Sequence, residues 1–161
     1  VIYPLFSSEE PTAASKDKKS AGKEYPEFLE FAGESLKGDW NGRFLTFGDQ
    51  LYRTPAGMPS LRGLKVLRPG LHLGTMKKNR FEPSQSLAMY LRQGQFDNEV
   101  NLTSSDDRVF RYLKGETIEA SDQKIKNGYV LVLVDGYPLG WAKNTNGTLK
   151  NKYLSGWRMM S

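Results

Sequence analysis

The chain has 161 residues, with 23 Lys plus Arg against 18 Asp plus Glu, one His and no Cys. That length fits one or two small domains, and the missing cysteines exclude disulfide frameworks, thiolate metal sites and cysteine nucleophiles from these residues. At 38% hydrophobic and 25% charged it reads as a soluble globular protein with a net charge of +5, and no stretch approaches the roughly 20 apolar residues that span a bilayer.

The chain opens on Val1, and its VIYPLF start is too short for a signal-peptide core. We read a cytoplasmic, processed product or a piece excised from something longer. Ser7 to Glu24 has no large apolar residue and cannot offset the entropy of ordering, so residues 1–24 are expected to be a linker; a short helix at Ala13-Ala14 is the alternative. From Tyr25, the spacing of Phe28, Leu29, Phe31 and Leu36 predicts a helix. Arg43–Gly48 and Leu51–Thr54 predict a hairpin turning at Asp49-Gln50, and Gly63–Gly74 predicts two short strands or one broken at Pro69-Gly70. Glu82–Arg92 predicts a helix with Pro83 in its first turn, Ser84 or Glu82 near the cap, and Leu87, Tyr90 and Leu91 inward.

A polar stretch, GQFDNEVNLTSSDD, places a domain boundary between Gly94 and Ser104. Beyond it, Ser105-Asp106-Asp107 caps a short helix with Val109, Phe110 and Leu113 inward, stopped by Gly115. Thr117–Ala120 and Tyr129–Val134 are strands, the second too apolar to be half exposed. The chain turns at Asp135–Pro138, returns through Leu139–Ala142, and ends in a basic, glycine-punctuated tail. A helix followed by several short strands suggests a small α+β domain with a curled sheet or barrel.

Charge is segregated. Arg62 to Arg80 and Trp141 to Ser161 together carry ten basic residues and no acid, while the remainder carries 13 basic and 18 acidic residues. Two cationic segments on an otherwise acidic chain point to a polyanionic partner; solvent-facing loops that happen to be basic are the bland alternative. Phe81 follows one segment, and Tyr153 and Trp157 flank the other, and aromatics beside cations suit unstacked bases. Burial in the core is the competing fate for each of them, and for Trp141.

Catalytic groups are scarce. His72, between Leu71 and Leu73, is expected to face solvent or RNA, since alternate strand residues face opposite ways. The carboxylate pairs Glu9-Glu10 and Asp106-Asp107 fall in the linker and at a helix cap. Neither GxGxxG at a strand-to-helix turn nor GxxxxGK[ST] occurs. No cofactor or metal is assigned, and the chain by itself is not expected to be an enzyme.

Gly63-Leu64-Lys65-Val66-Leu67-Arg68-Pro69-Gly70-Leu71-His72-Leu73-Gly74, followed by Lys77-Lys78-Asn79-Arg80-Phe81-Glu82-Pro83-Ser84, resembles the segment after the catalytic domain in bacterial rRNA cytosine-C5 methyltransferases of the RsmF/YebU type. Gly136–Lys143, Leu149–Tyr153 and Gly156-Trp157-Arg158 resemble that family's C-terminal PUA-like domain. The chain departs from the pattern at Pro69, Gln85 and Leu154-Ser155.

The resemblance implies an α+β architecture of two small domains, with residues 25–95 as a post-catalytic domain and 96–161 as a PUA-like β-barrel with short helices. It implies a parent enzyme that methylates C5 of a cytosine in small-subunit rRNA using S-adenosylmethionine, with the donor site and catalytic cysteines outside these residues. This chain would be a monomeric RNA-binding region that grips structured rRNA and sits against its own catalytic domain. The candidate contacts are Arg68, Lys77, Lys78, Asn79 and Arg80, with Lys143, Lys150, Asn151, Lys152 and Arg158; Phe81, Tyr153 and Trp157 are candidates for base stacking. Asn79 and Asn151 are equally open to fixing their own turns. The alternative function is a protein-interaction module that docks on the catalytic domain or a ribosomal protein.

Overall fold

A computed structural model of the chain describes residues 25–38, 40, 43–54 and 70–160. The expected linker 1–24, the strand expectation for 63–69 and the candidate contact Arg68 lie outside the described residues. The first helix, α1 (Pro26–Ser35), opens with Pro26 at its first position, where a fixed φ is already helical and no N–H is missed. It buries Phe28 and Ala32, one turn apart on one face, and ends at Leu36, which pairs as a β-bridge with Phe96.

Strands β1 (Arg43–Phe47), β2 (Gln50–Thr54), β3 (Leu71–Lys77) and β4 (Arg80–Pro83) follow in sheet order β1-β2-β3-β4, every pair antiparallel. The β3–β4 hairpin turns at Lys78-Asn79, with Asn79 at φ +59°, a conformation that asparagine tolerates better than most residues. A side chain at Gly74 would overlap the Glu82 carbonyl and the Phe81 ring, so only glycine lets these strands close.

The next helix is shorter than the sequence suggests. Helix α2 (Gln85–Tyr90) starts only after Ser84, whose hydroxyl accepts from the Leu87 N–H at 3.0 Å and whose own N–H donates to the Leu73 carbonyl at 2.9 Å. Glu82 and Pro83 belong to β4 instead, because Thr75 and Gly74 claim them as register partners. Leu87 and Ala88 are buried, while Tyr90, expected inside, is exposed.

The second half contains β5 (Glu99–Leu102), α3 (Asp107–Leu113), β6 (Ile118–Glu119), β7 (Gly128–Val134), β8 (Tyr137–Thr145), β9 (Thr148–Asn151) and a 3-10 turn at Ser155–Trp157. Its sheet runs β5-β7-β8-β9-β6, with β5 parallel to β7 and the remaining pairs antiparallel. The protein is α+β with two sheets, and this one is strongly curled into a half-barrel rather than a closed barrel. Strand β5 lies inside the stretch read as a polar separator, with Val100 and Leu102 buried. In α3, capped by the Asp106 carboxylate on the Arg108 N–H at 2.9 Å, the inward residues are Val109 and Tyr112. Phe110, expected inside, is exposed; Tyr112 takes its place because its hydroxyl donates to the Trp141 carbonyl at 2.9 Å.

Both faces of β7 are covered, which explains its continuous apolar run. Val130 and Val132 pack with Val100, Leu102, Ala142 and Leu149 inside the half-barrel. Leu131 and Leu133, joined by Trp141 from β8, instead enter the core of the first half with Phe28, Leu73, Phe81 and Phe96. The Trp141 indole N–H donates to the Ser84 carbonyl at 2.7 Å and the Gln85 amide to the Leu139 carbonyl at 2.6 Å. The two sheets thus share one core, and α2 is clamped onto β8.

Candidate nucleic-acid interface

The first cationic segment is displayed by a hairpin. Lys77 closes β3, Lys78 and Asn79 form the turn and Arg80 opens β4, all four exposed. Lys77 and Arg80 are directly opposed across the ladder, so their charges leave the sheet together. The second segment uses β8 and β9, where Lys143 and Lys150 are direct cross-strand partners and both are exposed. Directly opposed like charges, with Cβ atoms about 5 Å apart, destabilise a sheet, and here they face water beside no acid of their own strands.

Tyr129 joins the two segments. It opposes Lys143 in the β7–β8 register, and the Lys143 ammonium sits 5.6 Å from its ring centroid. The row Tyr129–Lys143–Lys150 therefore crosses three strands. The same ring meets Trp141 edge-on at 6.4 Å and Phe31 at 6.2 Å, and Phe31 in turn meets Phe81 of β4 at 5.2 Å. Burial and then the Glu82 carboxylate push the Tyr129 phenol above its ordinary 10.0, while Arg80 pulls it the other way. Phe31 thus lies between the Phe81 ring of β4 and the Tyr129 ring over which Lys143 sits. Sequence reasoning missed Tyr129, because it read that strand only as core; its polar tip among aliphatic neighbours was the available signal.

Among the described residues, Lys77, Lys78, Lys143, Lys150 and Lys152 have no acidic partner, whereas Arg80 pairs with Glu82 at 3.2 Å. Arg108 shows the contrast. Its guanidinium forks between Asp106 and Asp122, both at 2.8 Å, and also donates to the Glu119 carbonyl, so it serves as a brace between α3 and the following loop. Those pairings raise its pKa further and hold both carboxyls below their usual range.

Other candidates are placed differently. Phe81 is 4% exposed, its ring packed against Phe28 at 5.1 Å, so it has no face for a base. Asn151 is buried, donating to the Tyr112 and Glu116 carbonyls at 2.8 and 3.0 Å and accepting from the Tyr153 N–H at 2.8 Å. Two of these contacts tie the end of β9 to α3 and the turn after it, and the third holds the backbone just beyond β9, so Asn151 is a structural brace. Asn79 is exposed and sets its turn.

Lys152 is exposed just past β9, its N–H bonded to the Trp141 carbonyl. Arg158 is half-buried across Gly115, where any side chain would strike its guanidinium, and its Nε is enclosed without a hydrogen-bond partner. Tyr153 packs between Tyr112 at 5.3 Å and Trp157 at 6.3 Å, and Trp157 is 40% exposed. Arg158 lies over Gly115 and Tyr153 over Gly140. His72 is half-buried rather than solvent-facing, stacked on Tyr52 at 4.8 Å and bonded through Nε2 to Gln50 at 2.7 Å. Desolvation lowers its pKa below the ordinary 6.5.

A shallow groove of about 390 Å³ is lined by Ser121, Gln123, Ile125, Asn127, Asn144, Asn146 and Gly147. Its amides bond one another and the backbone, as in Asn127 to Asn146 and Asn144 to Gly147. It offers no carboxylate for a ribose and no apolar slot for a purine, so it does not fit an adenosyl methyl donor. Among the described residues, no group of three His, Cys, Asp or Glu could hold a metal ion, and no helix is long and apolar enough to cross a membrane.

Two family models match the chain in succession. Residues 30–91 match the first C-terminal domain of RsmF rRNA methyltransferase, and residues 99–159 match the methyltransferase RsmF PUA domain. The first match ends inside the α2 region that clamps onto β8, and the second takes in the entire curled sheet.

Proposed function

The chain belongs to the C-terminal region of the RsmF-type rRNA methyltransferases, and on that premise we propose that it grips structured small-subunit rRNA and positions a target cytosine for a catalytic domain carried elsewhere in the parent. PUA domains bind RNA, and the observation that carries the reading here is the Tyr129–Lys143–Lys150 row together with the Lys77–Arg80 hairpin. Three strands from two sheets and one hairpin turn hold unpaired ammonium groups. Such an array suits phosphates, whose contacts fix register and orientation without reading sequence.

Lys77, Lys78, Lys143 and Lys150 are phosphate contacts in this reading, and Arg80 is a phosphate or 2′-OH contact. Tyr153, Trp157 and Arg158 lie at the end of the chain, where Trp157 offers a partly exposed face to an unpaired base. The methyl donor of the parent, S-adenosylmethionine, would be bound outside these residues, and the methylation chemistry would take place there. A monomeric, cytoplasmic protein completes the proposal.

The test is a triple replacement of Lys77, Lys78 and Arg80 by alanine. Affinity for a labelled small-subunit rRNA fragment should fall at least tenfold with the melting temperature unchanged. Unchanged binding with a lower melting temperature would make these residues structural and refute the assignment. Preference of the purified chain for the separately expressed catalytic domain over RNA would favour a protein-docking role instead.

A further inference from the structure

Glu82 is the one carboxylate in the two segments 70–83 and 141–160. It lies on β4, two residues from Arg80 on the same strand face, and its carboxylate holds the Arg80 guanidinium at 3.2 Å. The Arg80 side chain is largely open to solvent, at 64%, and that of Glu82 partly so, at 39%. Their strand is an edge of the four-stranded sheet; Phe81 between them turns into the core, while Lys77 faces Arg80 across the ladder and Lys78 forms the adjoining turn. A negative group therefore stands among the exposed cations of this hairpin, Lys77, Lys78 and Arg80.

Exposed ion pairs of this kind contribute little to stability, so folding gives no strong reason for the pair. Phosphate, by contrast, accepts two parallel hydrogen bonds from a guanidinium and competes well with one carboxylate oxygen. We propose that Glu82 is an electrostatic latch on the RNA-binding surface: it occupies Arg80 in the free protein, and an incoming phosphate displaces it. The proposal rests on the RNA-binding reading above. It assigns Glu82 an effect opposite in sign to every lysine around it. Glu82 weakens binding overall, and it reserves the Arg80 contact for ligands that bring a phosphate close to β4.

The test compares Glu82→Gln, Arg80→Ala and the double variant with the wild-type chain in binding a labelled small-subunit rRNA stem–loop. Glu82→Gln keeps the side-chain shape and should tighten binding about two- to fivefold, the range set by losing one exposed pair, with no change in melting temperature. In the Arg80→Ala background the same replacement should do less, because no guanidinium remains to be released. Glu82→Gln binding no tighter than a salt-sensitive wild type overturns the latch and leaves the RNA reading intact. Equal tightening with and without Arg80 also overturns it, since Glu82 would then act by plain repulsion. A wild-type chain that fails to bind the stem–loop overturns the RNA-binding reading and the latch together.

Discussion

Replacing Trp141 with alanine removes the side chain that belongs to both halves of the protein. The indole is 1% exposed, meets Phe96 at 4.9 Å and Phe31 at 6.1 Å, and donates to the Ser84 carbonyl at 2.7 Å. Truncating a buried Trp to Ala costs about 3–5 kcal/mol, and losing its hydrogen bond to the Ser84 carbonyl, which keeps the Ala88 N–H, adds about 1 kcal/mol. The expected loss of about 4–6 kcal/mol is comparable to the whole stability of many small domains. Urea unfolding followed by far-UV circular dichroism and by tyrosine fluorescence measures it. The shared core predicts one cooperative transition in the wild type, lost or displaced as a unit in the variant. Two separate transitions, with only one moved by the substitution, would refute a common core, and a loss below about 1 kcal/mol would refute the packing.

Asn151→Ala should cost about 2–4 kcal/mol, since three hydrogen bonds of roughly 1 kcal/mol each are lost and the Glu116 carbonyl and Tyr153 N–H lose this partner. RNA affinity of the folded variant should be unchanged, and a large affinity loss at unchanged stability in urea would reinstate Asn151 as a contact. His72, held neutral by desolvation, has a folded pKa below 6.5. Stability is therefore full above 6.5 and declines as the pH falls below it, because the unfolded chain takes the proton first. Urea midpoints between about pH 7.5 and pH 5 should show that decline in the wild type and little of it in His72→Gln; an equal slope in both would place the titrating group elsewhere.

Much of the fold was legible because local signals and burial agree. Helix α1 follows from Pro26 and its apolar spacing, the β1–β2 hairpin from its glycine-marked turn, and β7 from a β-branched run covered on both faces. Strand β5 was hidden because only Val100 and Leu102 alternate in a polar sequence; its partner is β7, some 30 residues away, and no local pattern records that pairing. Helix α2 was overextended because Glu82 and Pro83, which suit a first turn, are held in a ladder with β3. In α3, Phe110 and Tyr112 exchange roles because a buried hydrogen bond to the Trp141 carbonyl outweighs greater hydrophobicity.

The interface was legible as charge and illegible as geometry. Two acid-free basic stretches single out Lys77, Lys78, Arg80, Lys143 and Lys150 as candidate RNA contacts, and all five lie at the surface. How they sit in the fold depends on Trp141 entering the other core and on Tyr129 lying under Lys143, which are tertiary facts. Phe81 and Asn151 sit among those cations in sequence but point inward, since alternate residues of a strand face opposite ways.

The central claim is that both segments act on RNA as one electrostatic surface. Its most direct test is the salt dependence of binding to a labelled rRNA stem–loop for the wild type, the Lys143→Ala/Lys150→Ala pair and the Lys77→Ala/Lys78→Ala pair. The account predicts a linear fall of log affinity with log salt, with the slope smaller in magnitude by about 0.7–0.9 for each phosphate contact removed, in both pairs alike. A flat wild-type profile, or a slope that only one of the two pairs alters, would contradict it.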